Sequence, residues 1–249
     1  MVPLEIFRSR NFSGANLTTL GVYFALQGTS FFVVLYLQNV MNYSALAAGM
    51  VLAPMSLLLL VLSPLFGRWS GEREARLFMT VGPLVCAIGL LLFTRLSADA
   101  GFWTEVLPAV IVFGLGLSAT VAPLTDTVMT AVSEERSGIA AAFNNVVSRV
   151  AGLLAVAGLG VVVSLTFGVA VASRTEELSL SPSATETIQR VVEDPTGAFD
   201  VGQLPPRARE AVKASYSVAF RRAMIVSAAM AAAGGVVAAL TIRRRGEAS

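Results

Sequence analysis

Four polar side chains interrupt two long apolar runs in the middle of this chain, and they are the residues best placed to do chemistry. One run carries a carboxylate, and the other carries two amides and a guanidinium: Asp126, Asn144, Asn145 and Arg149. Each run is long enough to cross a bilayer, which takes about 20 mostly apolar residues. An ionisable side chain at bilayer depth costs roughly 2.5–3.5 kcal/mol, so it usually faces protein or a wet cavity. The pattern predicts a polar seam within a membrane.

Depth and spacing distinguish the four residues. Arg149 lies 11 residues past Gly138, which is about 16 Å of helix and near the middle of a hydrocarbon core about 30 Å thick. Asn145 shares a helix face with Arg149 at i, i+4, and Asp126 lies at the level of the asparagines. Arg149 and Asp126 are candidates for an ion pair, direct or through an asparagine, and we assign Arg149 a functional or conformational role. The alternative for the asparagines is a structural hydrogen bond between helices, and for Asp126 it is hydration near the surface.

Composition narrows the class of protein. The 249 residues are 55% hydrophobic and only 14% charged, whereas a soluble domain is about 25% charged. The chain has no histidine, which excludes histidine metal sites and Ser-His-Asp triads. Its single cysteine, Cys86, allows no intramolecular disulfide, and a net charge of +2 does not indicate nucleic acid. With no nucleophile motif, metal cluster or phosphate loop, we predict a membrane protein that is not an enzyme and needs no cofactor.

The apolar runs predict six membrane spans in one all-α domain that covers residues 1–249. The spans are placed at residues 12–37, 45–66, 77–94, 105–131, 138–172 and 217–242. A charged loop at 67–76 joins the second span to the third. A polar, proline-containing loop at 174–213 joins the fifth to the sixth, and its stretches Ala184–Val192 and Arg207–Tyr216 are candidates for amphipathic helices.

Basic residues in the short loops predict the orientation of the spans. One side of the predicted topology collects most of the arginines, and the short loops of the other side hold only Arg95. Because cytoplasmic loops carry an excess of Lys and Arg, we predict a multi-pass cell-membrane protein with both termini in the cytoplasm and the 174–213 loop outside. Arg221 and Arg222 then lie at the outer end of the last span. The cytoplasmic set comprises Arg8, Arg10, Arg68, Arg73, Arg76, Arg136 and the triplet Arg243–Arg245.

Polar side chains concentrate in the first, fourth and fifth spans. Polar groups in hydrocarbon need partners or water, so we expect these spans to face a cavity or another protein surface, and the third and sixth to face lipid. For two aromatic members of the predicted cavity, Tyr23 and Phe31, ordinary packing is the alternative. The predicted cavity residues are Asn16, Tyr23, Gln27, Phe31 and Thr125.

Several segments, in the right order, resemble one group of membrane transporters. They are FRSRNFSGAN (Phe7–Asn16), YLQNVMNYSALAAGMVLAP (Tyr36–Pro54), LSPLFGR (Leu62–Arg68), MTVGPL (Met79–Leu84), FGLGLSATVAPLTDTVMTAV (Phe113–Val132) and SGIAAAFNNVVSRVAGLLAVAGLG (Ser137–Gly160). The group is the major facilitator superfamily, specifically its fourteen-span drug:proton antiporters. The resemblance covers nearly the whole chain and matches the last six spans of that group, its C-terminal half.

The resemblance implies a six-helix half of the major facilitator fold. In that half the first and fourth helices line a central cavity, the second and fifth border the other half, and the third and sixth are peripheral. It also implies small amphipathic or cationic drugs as substrates and the proton gradient as the coupling ion. The acidic and arginine residues that carry the proton in this family lie mainly in the N-terminal half, which this chain lacks.

The loop after the second span is similar to the superfamily's Gly-x-x-x-Asp-Arg-x-Gly-Arg signature, in a degenerate form. Gly67 and Arg68 fit the pattern and Arg76 closes it. Gly71 occupies the acidic position, however, and Glu74 replaces the later glycine. The charge pairing by which this loop usually latches one conformation therefore lacks its acidic partner here.

Three hypotheses follow for the function. The first is the C-terminal half of a proton-coupled multidrug exporter that works with a separate N-terminal half or as a homodimer in the lipid bilayer. The second is a truncated transporter fragment without activity. The third is a membrane assembly subunit or a membrane-embedded enzyme. An open reading frame that encodes the missing spans just upstream favours the first, and its absence favours the second.

Overall fold

The computed structural model describes residues 4–176, 181–197 and 201–242, without the side chains of residues 4 and 71–74. Within this described part the chain forms helices and turns and no strand. Six segments are long and apolar enough to cross a bilayer, so the predicted all-α fold with six spans is confirmed. Of the predicted basic cluster, the side chain of Arg73 and the triplet Arg243–Arg245 lie outside the described residues.

The helix bounds reflect local capping chemistry. Serine side chains begin three of the helices: the Oγ atoms of Ser9, Ser44 and Ser181 accept the free backbone N–H groups of the first turns, as expected of N-cap serines. A short π-helical turn, Phe102–Val106, leads into the fourth helix. The described residues form seven α-helices: α1 (Arg10–Asn39), α2 (Ala45–Met50), α3 (Ala53–Phe93), α4 (Leu107–Thr130), α5 (Ser137–Thr175), α6 (Pro182–Glu193) and α7 (Pro206–Thr241).

Helix α3 contains two spans that run in opposite directions. The rings of Phe66 and Phe78 lie 5.7 Å apart, whereas 12 residues of straight helix measure about 18 Å. The chain therefore reverses between the spans Ala45–Ser70 and Ala75–Phe93. The predicted loop at 67–76 is wrong in that its backbone is helical. The Glu, Arg and Ala residues of this segment are good helix formers, which explains why the turn keeps helical hydrogen bonding.

Hydrogen bonds mark the two ends of the bundle. We call the end where α1 begins and α7 ends the terminal end, and the opposite end, beside the segment 174–213, the loop end. At the terminal end, the Nη2 atoms of Arg10 and Arg76 donate to the carbonyls of Leu240 and Ala239, at 2.9 and 2.6 Å. Cations are favourable beside the last carbonyls of a helix. At the loop end, Asn39 donates to the carbonyl of Gly197. The start of α1 and the end of α7 therefore meet at the same end of the bundle.

The predicted loop at 174–213 is mostly helical, because α5 and α7 extend into it from both sides and α6 lies between them. Helix α6 is amphipathic and buries Ala184, Ile188 and Val191, residues that share one helix face. This face packs on α5, where Val192 lies beside Gly168. The segment therefore forms a folded cap over the loop end.

The second span within α3, Ala75–Phe93, which we call the second arm of α3, packs against α4 with the two backbones in close contact. A Cβ atom on Gly116 would lie only 2.5 Å from the backbone nitrogen of Cys86 and 2.7 Å from the carbonyl oxygen of Gly82. Gly89 is equally close to the backbone of Phe113. Glycine is required at such crossings because no side chain fits between the two helix backbones, as is common for helices packed in membranes.

Helix α1 is packed against α7 along much of its length. Thr18 Oγ1 lies 3.1 Å from the carbonyl oxygen of Gly234 and donates to it. Nearer the loop end, the ring of Tyr36 stacks on Phe220 at 4.3 Å. Three small residues of α7 allow close helix packing, and two of them, Ser227 and Ala231, are fully buried. The third, Gly235, lies against the carbonyl of Thr80 on α3.

The crossing of α3 and α4 gives a first prediction. Gly116→Ala should lower the free energy of unfolding by about 1–3 kcal/mol, because the added methyl group forces apart two helix backbones. Unfolding of the purified chain by a denaturing detergent, followed by circular dichroism, measures this change. The matched control is Gly158→Ala on α5, where the added Cβ atom would meet no neighbouring side chain and no other helix within 4 Å. An equal effect of the two substitutions would contradict the assignment.

Candidate functional site

Two of the six spans expose most of the large apolar side chains of this bundle. In the apolar 18-residue stretch of each span, only 17% of the residues of Ala45–Ser70 and 33% of those of Glu134–Thr175 are buried within the chain, against 61% for Arg10–Asn39. Both α1 and α4 contact α5, and each also contacts a part of the 45–70 span or of α3. Helices α1 and α4 therefore lie between the two exposed spans. We call this side of the bundle the open face, and its most exposed residues include Leu46, Met50, Leu57, Leu60, Val146, Leu153 and Leu165.

A cluster of polar side chains joins α1 to α5 behind the open face. The Nδ2 atom of Asn144 donates to Thr19 Oγ1 at 2.6 Å and to Asn16 Oδ1 at 3.1 Å. Asn16 is buried and donates in turn to the carbonyl of Phe12. Asn144 is thus held between two partners, as the structural alternative for this asparagine predicts. Asn16 is enclosed by the same cluster and does not line an open cavity.

The sequence hypothesis missed Thr19, the closest partner of Asn144. Thr19 is fully buried, and its hydroxyl also donates to the carbonyl of Ala15. Thr19 follows Asn16 by three residues and lies on the same face of the first span. This spacing could have identified it as a member of the cluster. A helix face identifies which polar residues point the same way, but it does not tell which of them meets a neighbouring helix.

Arg149 projects from the exposed side of α5. Five residues separate it from Asn144, which is about 140° around a helix of 3.6 residues per turn, so it points away from α1. Asn145, one turn earlier on the same face, is also exposed. Within the described residues, the guanidinium of Arg149 makes no ion pair or hydrogen bond. It lies about 18 Å from the start of α5 at 1.5 Å per residue.

The expected pair between Arg149 and Asp126 is not formed. Asp126 is exposed on α4, and its carboxylate has no ion pair among the residues that the structure describes. The physical reason is the arrangement of the helices: α5 turns its asparagine face toward α1, so Arg149 is carried away from α4. Both charges therefore lie on the surface of this chain, without an ion-pair partner among the residues that the structure describes.

The remaining cavity candidates lie along the edges of the open face. On α1, Tyr23 is half-buried and Gln27 and Phe31 are exposed, at positions that share one helix face. The side chain of Gln27 covers Gly152 of α5, where a Cβ atom would be 3.0 Å from Gln27 Cγ. Phe31 makes an edge-to-face contact with Phe32 at 5.1 Å. On α4, Thr125 is exposed and donates to the carbonyl of Val121.

The residues of the degenerate loop signature lie at the terminal end and have separate contacts. Gly67 packs beside Ala122 of α4, and Arg68 is exposed. Arg76 caps the last turn of α7. The side chains at positions 71 and 74, which carry the departures from the signature, lie outside the described residues.

A cavity of about 990 Å³ also opens on the open face, along α2 and the start of α3. It is lined almost entirely by apolar side chains, including Leu46, Met50 and Leu60. Large apolar surfaces of this kind mark contact with another protein or with lipid. The open face thus combines apolar side chains with two charges, Asp126 and Arg149, that form no ion pair within the described part of the chain.

The chain is similar to curated resistance proteins, two of which show how much of each chain is matched. The chain is 28% identical to the "Tetracenomycin C resistance and export protein" of Streptomyces glaucescens, over 97% of this chain and 46% of that protein. It is 31% identical to the "Methylenomycin A resistance protein" of Bacillus subtilis (strain 168), over 67% of this chain and 36% of that protein. The chain thus spans less than half of the length of these relatives.

A solved structure shares the fold. It is that of a bacterial homolog of the human lysosomal transporter Spinster, in an inward-facing and unoccupied conformation. The TM-score is 0.69 at 18% identity, over 96% of this chain and 50% of that chain. A sequence model of the Major Facilitator Superfamily matches residues 2–156, which is more than half of this chain. With six apolar helices in a bundle of this fold, the chain is a multi-pass membrane protein that belongs to the Major Facilitator Superfamily.

Proposed function

We propose that the chain is the C-terminal half of a proton-coupled multidrug efflux transporter of the fourteen-span group, and that it works only when an N-terminal half covers its open face. The observation that carries this proposal is the guanidinium of Arg149, which has no ion pair among the described residues and lies among exposed apolar side chains. A charge at that depth is costly unless it faces protein or water. A second transporter half supplies both.

The distribution of exposed surface supports the same partner. The two least buried spans are the second and the fifth, which are the spans that border the other half in this superfamily. The structural relative is matched over half of its own length, so a second bundle of similar size is consistent with the fold. Alternating access rocks two such bundles around a site between them.

The proposed substrates are small amphipathic or cationic drugs. Two relatives bear names that refer to resistance, and one of them to export. In the proposed transporter, Tyr23, Gln27, Phe31 and Thr125 line the cavity between the halves. Aromatic faces attract cations and apolar groups, and amides add hydrogen bonds. Asp126 and Arg149 bias the conformation in response to the proton gradient.

The proposed orientation places the terminal end in the cytoplasm of a cell-membrane transporter. The structure collects Arg10, Arg76 and Arg136 at that end, and an excess of arginine in short loops is typical of cytoplasmic loops. The cap formed by α6 then lies outside the cell. Helix α7 and the second arm of α3 face lipid.

Co-expression tests the dependence on a partner half. Cells that carry this chain together with the N-terminal half of a related exporter should gain drug resistance, because the open face is then covered. Cells that carry either half alone should not. Resistance from this chain alone would show that no N-terminal half is needed and that a second copy of the chain covers the open face instead. No resistance in any combination, with both halves in the membrane, would identify an inactive fragment or an assembly subunit.

Removal of the mid-membrane charge gives a second functional prediction. In the co-expressed pair, Arg149→Ala should reduce drug efflux at least about tenfold, because the loss of a charge-assisted hydrogen bond costs roughly 1.5–3 kcal/mol. Arg149→Lys should restore part of the activity, since it keeps the charge. Efflux of a fluorescent drug at matched membrane levels measures this effect. Arg95→Ala, which removes an exposed cation outside the open face, is the control; unchanged efflux in Arg149→Ala would reassign Arg149 to packing.

The two neighbouring asparagines should differ in their effect on stability. Asn144→Ala should lower the free energy of unfolding by about 1 kcal/mol, because it removes two hydrogen bonds to α1, and such bonds are worth about 0.6 kcal/mol each in membranes. Asn145→Ala should change it by less than about 0.5 kcal/mol, since this exposed side chain has no structural bond to lose. Detergent unfolding of the two variants side by side measures the difference. Equal losses would show that Asn144 does not join the helices.

A further inference from the structure

A second cavity, distinct from the open face, lies at the loop end of the bundle. It has a volume of about 540 Å³ and opens between the turn that follows α3 and the first turns of α7. Charged side chains of both signs line it: Asp99, Arg209, Glu210, Lys213 and Arg221. Nothing in the proposed transport mechanism uses these residues, and they lie on the side of the bundle formed by α3 and α7.

The oppositely charged side chains of this cavity form no ion pair within the described residues, although Asp99 is close enough to attract Lys213. In the described part of the chain, the ion pairs are Arg136–Glu5 and Arg190–Glu186, and none joins two residues of the cavity. Each of the three cations is positioned by neutral oxygen atoms instead. Arg209 donates to the carbonyls of Gly202 and Leu204, Lys213 to Asn42 Oδ1, and Arg221 Nε to the carbonyl of Thr94. The cavity therefore offers separate cationic and anionic groups to a ligand.

The cavity lies at the level of a membrane interface. Trp103 lies in the π-helical turn Phe102–Val106, a few residues after Asp99 of the cavity lining, and is 77% exposed. Exposed tryptophan is enriched where the hydrocarbon meets the headgroups. Arg222, beside Arg221 on α7, is exposed at the same level. The groups that surround a protein at this depth are phospholipid headgroups.

An exposed apolar stripe leads from the cavity toward the middle of the bundle. Leu91 and Ile225 lie about one helical turn below the contact between Arg221 and Thr94, and about half of each residue is exposed. Ile88 continues the stripe along α3 and is also exposed. Helices α3 and α7 pack together along this line, at Gly235 and Pro83. A hydrocarbon chain laid on this stripe would place its polar end at the cavity.

We propose that the cavity binds a phospholipid with a zwitterionic headgroup that carries a primary ammonium, as in phosphatidylethanolamine. The phosphate accepts hydrogen bonds from Arg221 and Lys213, and the ammonium donates to Asp99 and Glu210. The acyl chain lies on the stripe between α3 and α7. A primary ammonium is favoured over a trimethylammonium because only the former donates hydrogen bonds to carboxylates.

Native mass spectrometry of the purified full chain tests this site. The chain is incubated in detergent with phosphatidylethanolamine, phosphatidylcholine and phosphatidylglycerol that share the same acyl chains. We expect phosphatidylethanolamine to bind about tenfold more tightly than the other two, the size of the loss of one charge-assisted hydrogen bond. Equal affinities for the three lipids would overturn the proposal without any variant, whether or not the chain transports drugs.

Variants separate the two halves of the headgroup. Asp99→Asn combined with Glu210→Gln should abolish the preference for phosphatidylethanolamine over phosphatidylglycerol, because both carboxylates are lost. Arg221→Gln should weaken both lipids about tenfold, because both carry the phosphate. Arg222→Gln, which changes an exposed arginine outside the cavity lining, is the matched control and should alter binding less than twofold. Circular dichroism verifies that each variant is folded.

A soluble headgroup distinguishes a lipid site from a site for free zwitterions. Glycerophosphoethanolamine presents the same phosphate and ammonium without acyl chains. At millimolar concentration it should fail to displace bound phosphatidylethanolamine, because it makes no contact with the stripe. Displacement at that concentration would overturn the proposal, as would a retained lipid preference in the double carboxylate variant.

Discussion

A charged side chain within a membrane has to meet a counter-charge, a polar group or water, and within the described chain Arg149 has neither an ion pair nor a hydrogen bond. This constraint organises the account of the molecule. The same helix satisfies another of its polar groups internally, since Asn144 is bonded to α1. One side of α5 is therefore complete and the other is not. The incomplete side coincides with the part of the bundle that exposes the most apolar surface.

Two kinds of helix surface divide the bundle. Where the helices pack together, the chain carries small residues, so that Gly82 and Gly116 bring α3 and α4 into backbone contact. On the open face it carries bulky side chains such as Leu57 and Leu153, most of whose surface is exposed. Small residues allow close packing in membranes, whereas large exposed ones offer area to a partner. The distribution is what a half that joins another half requires.

Much of this organisation could be predicted from the sequence, because bilayer thickness fixes the length of an apolar span. The six spans followed from that. The sequence did not predict which neighbouring helix each polar side chain contacts. Asn144 and Arg149 are five residues apart, so helical periodicity shows that they face different ways, but it does not show which helix lies on each side. For this reason the pairing of Arg149 with Asp126 was wrong. The sequence also predicted a loop at 67–76, where the backbone is helical. The density of charge in this segment indicated a loop, although its residues are good helix formers.

Spin-label accessibility at two exposed sites tests the central claim most directly. With Cys86 replaced by alanine, a nitroxide is placed at position 153 on the open face or at position 88 on α3, where Leu153 and Ile88 are both exposed in the lone chain. Collision with molecular oxygen reports contact with lipid. When the N-terminal half is added, oxygen access should fall at position 153 and stay the same at position 88. Undiminished oxygen access at position 153 in a membrane that contains both halves would contradict the account.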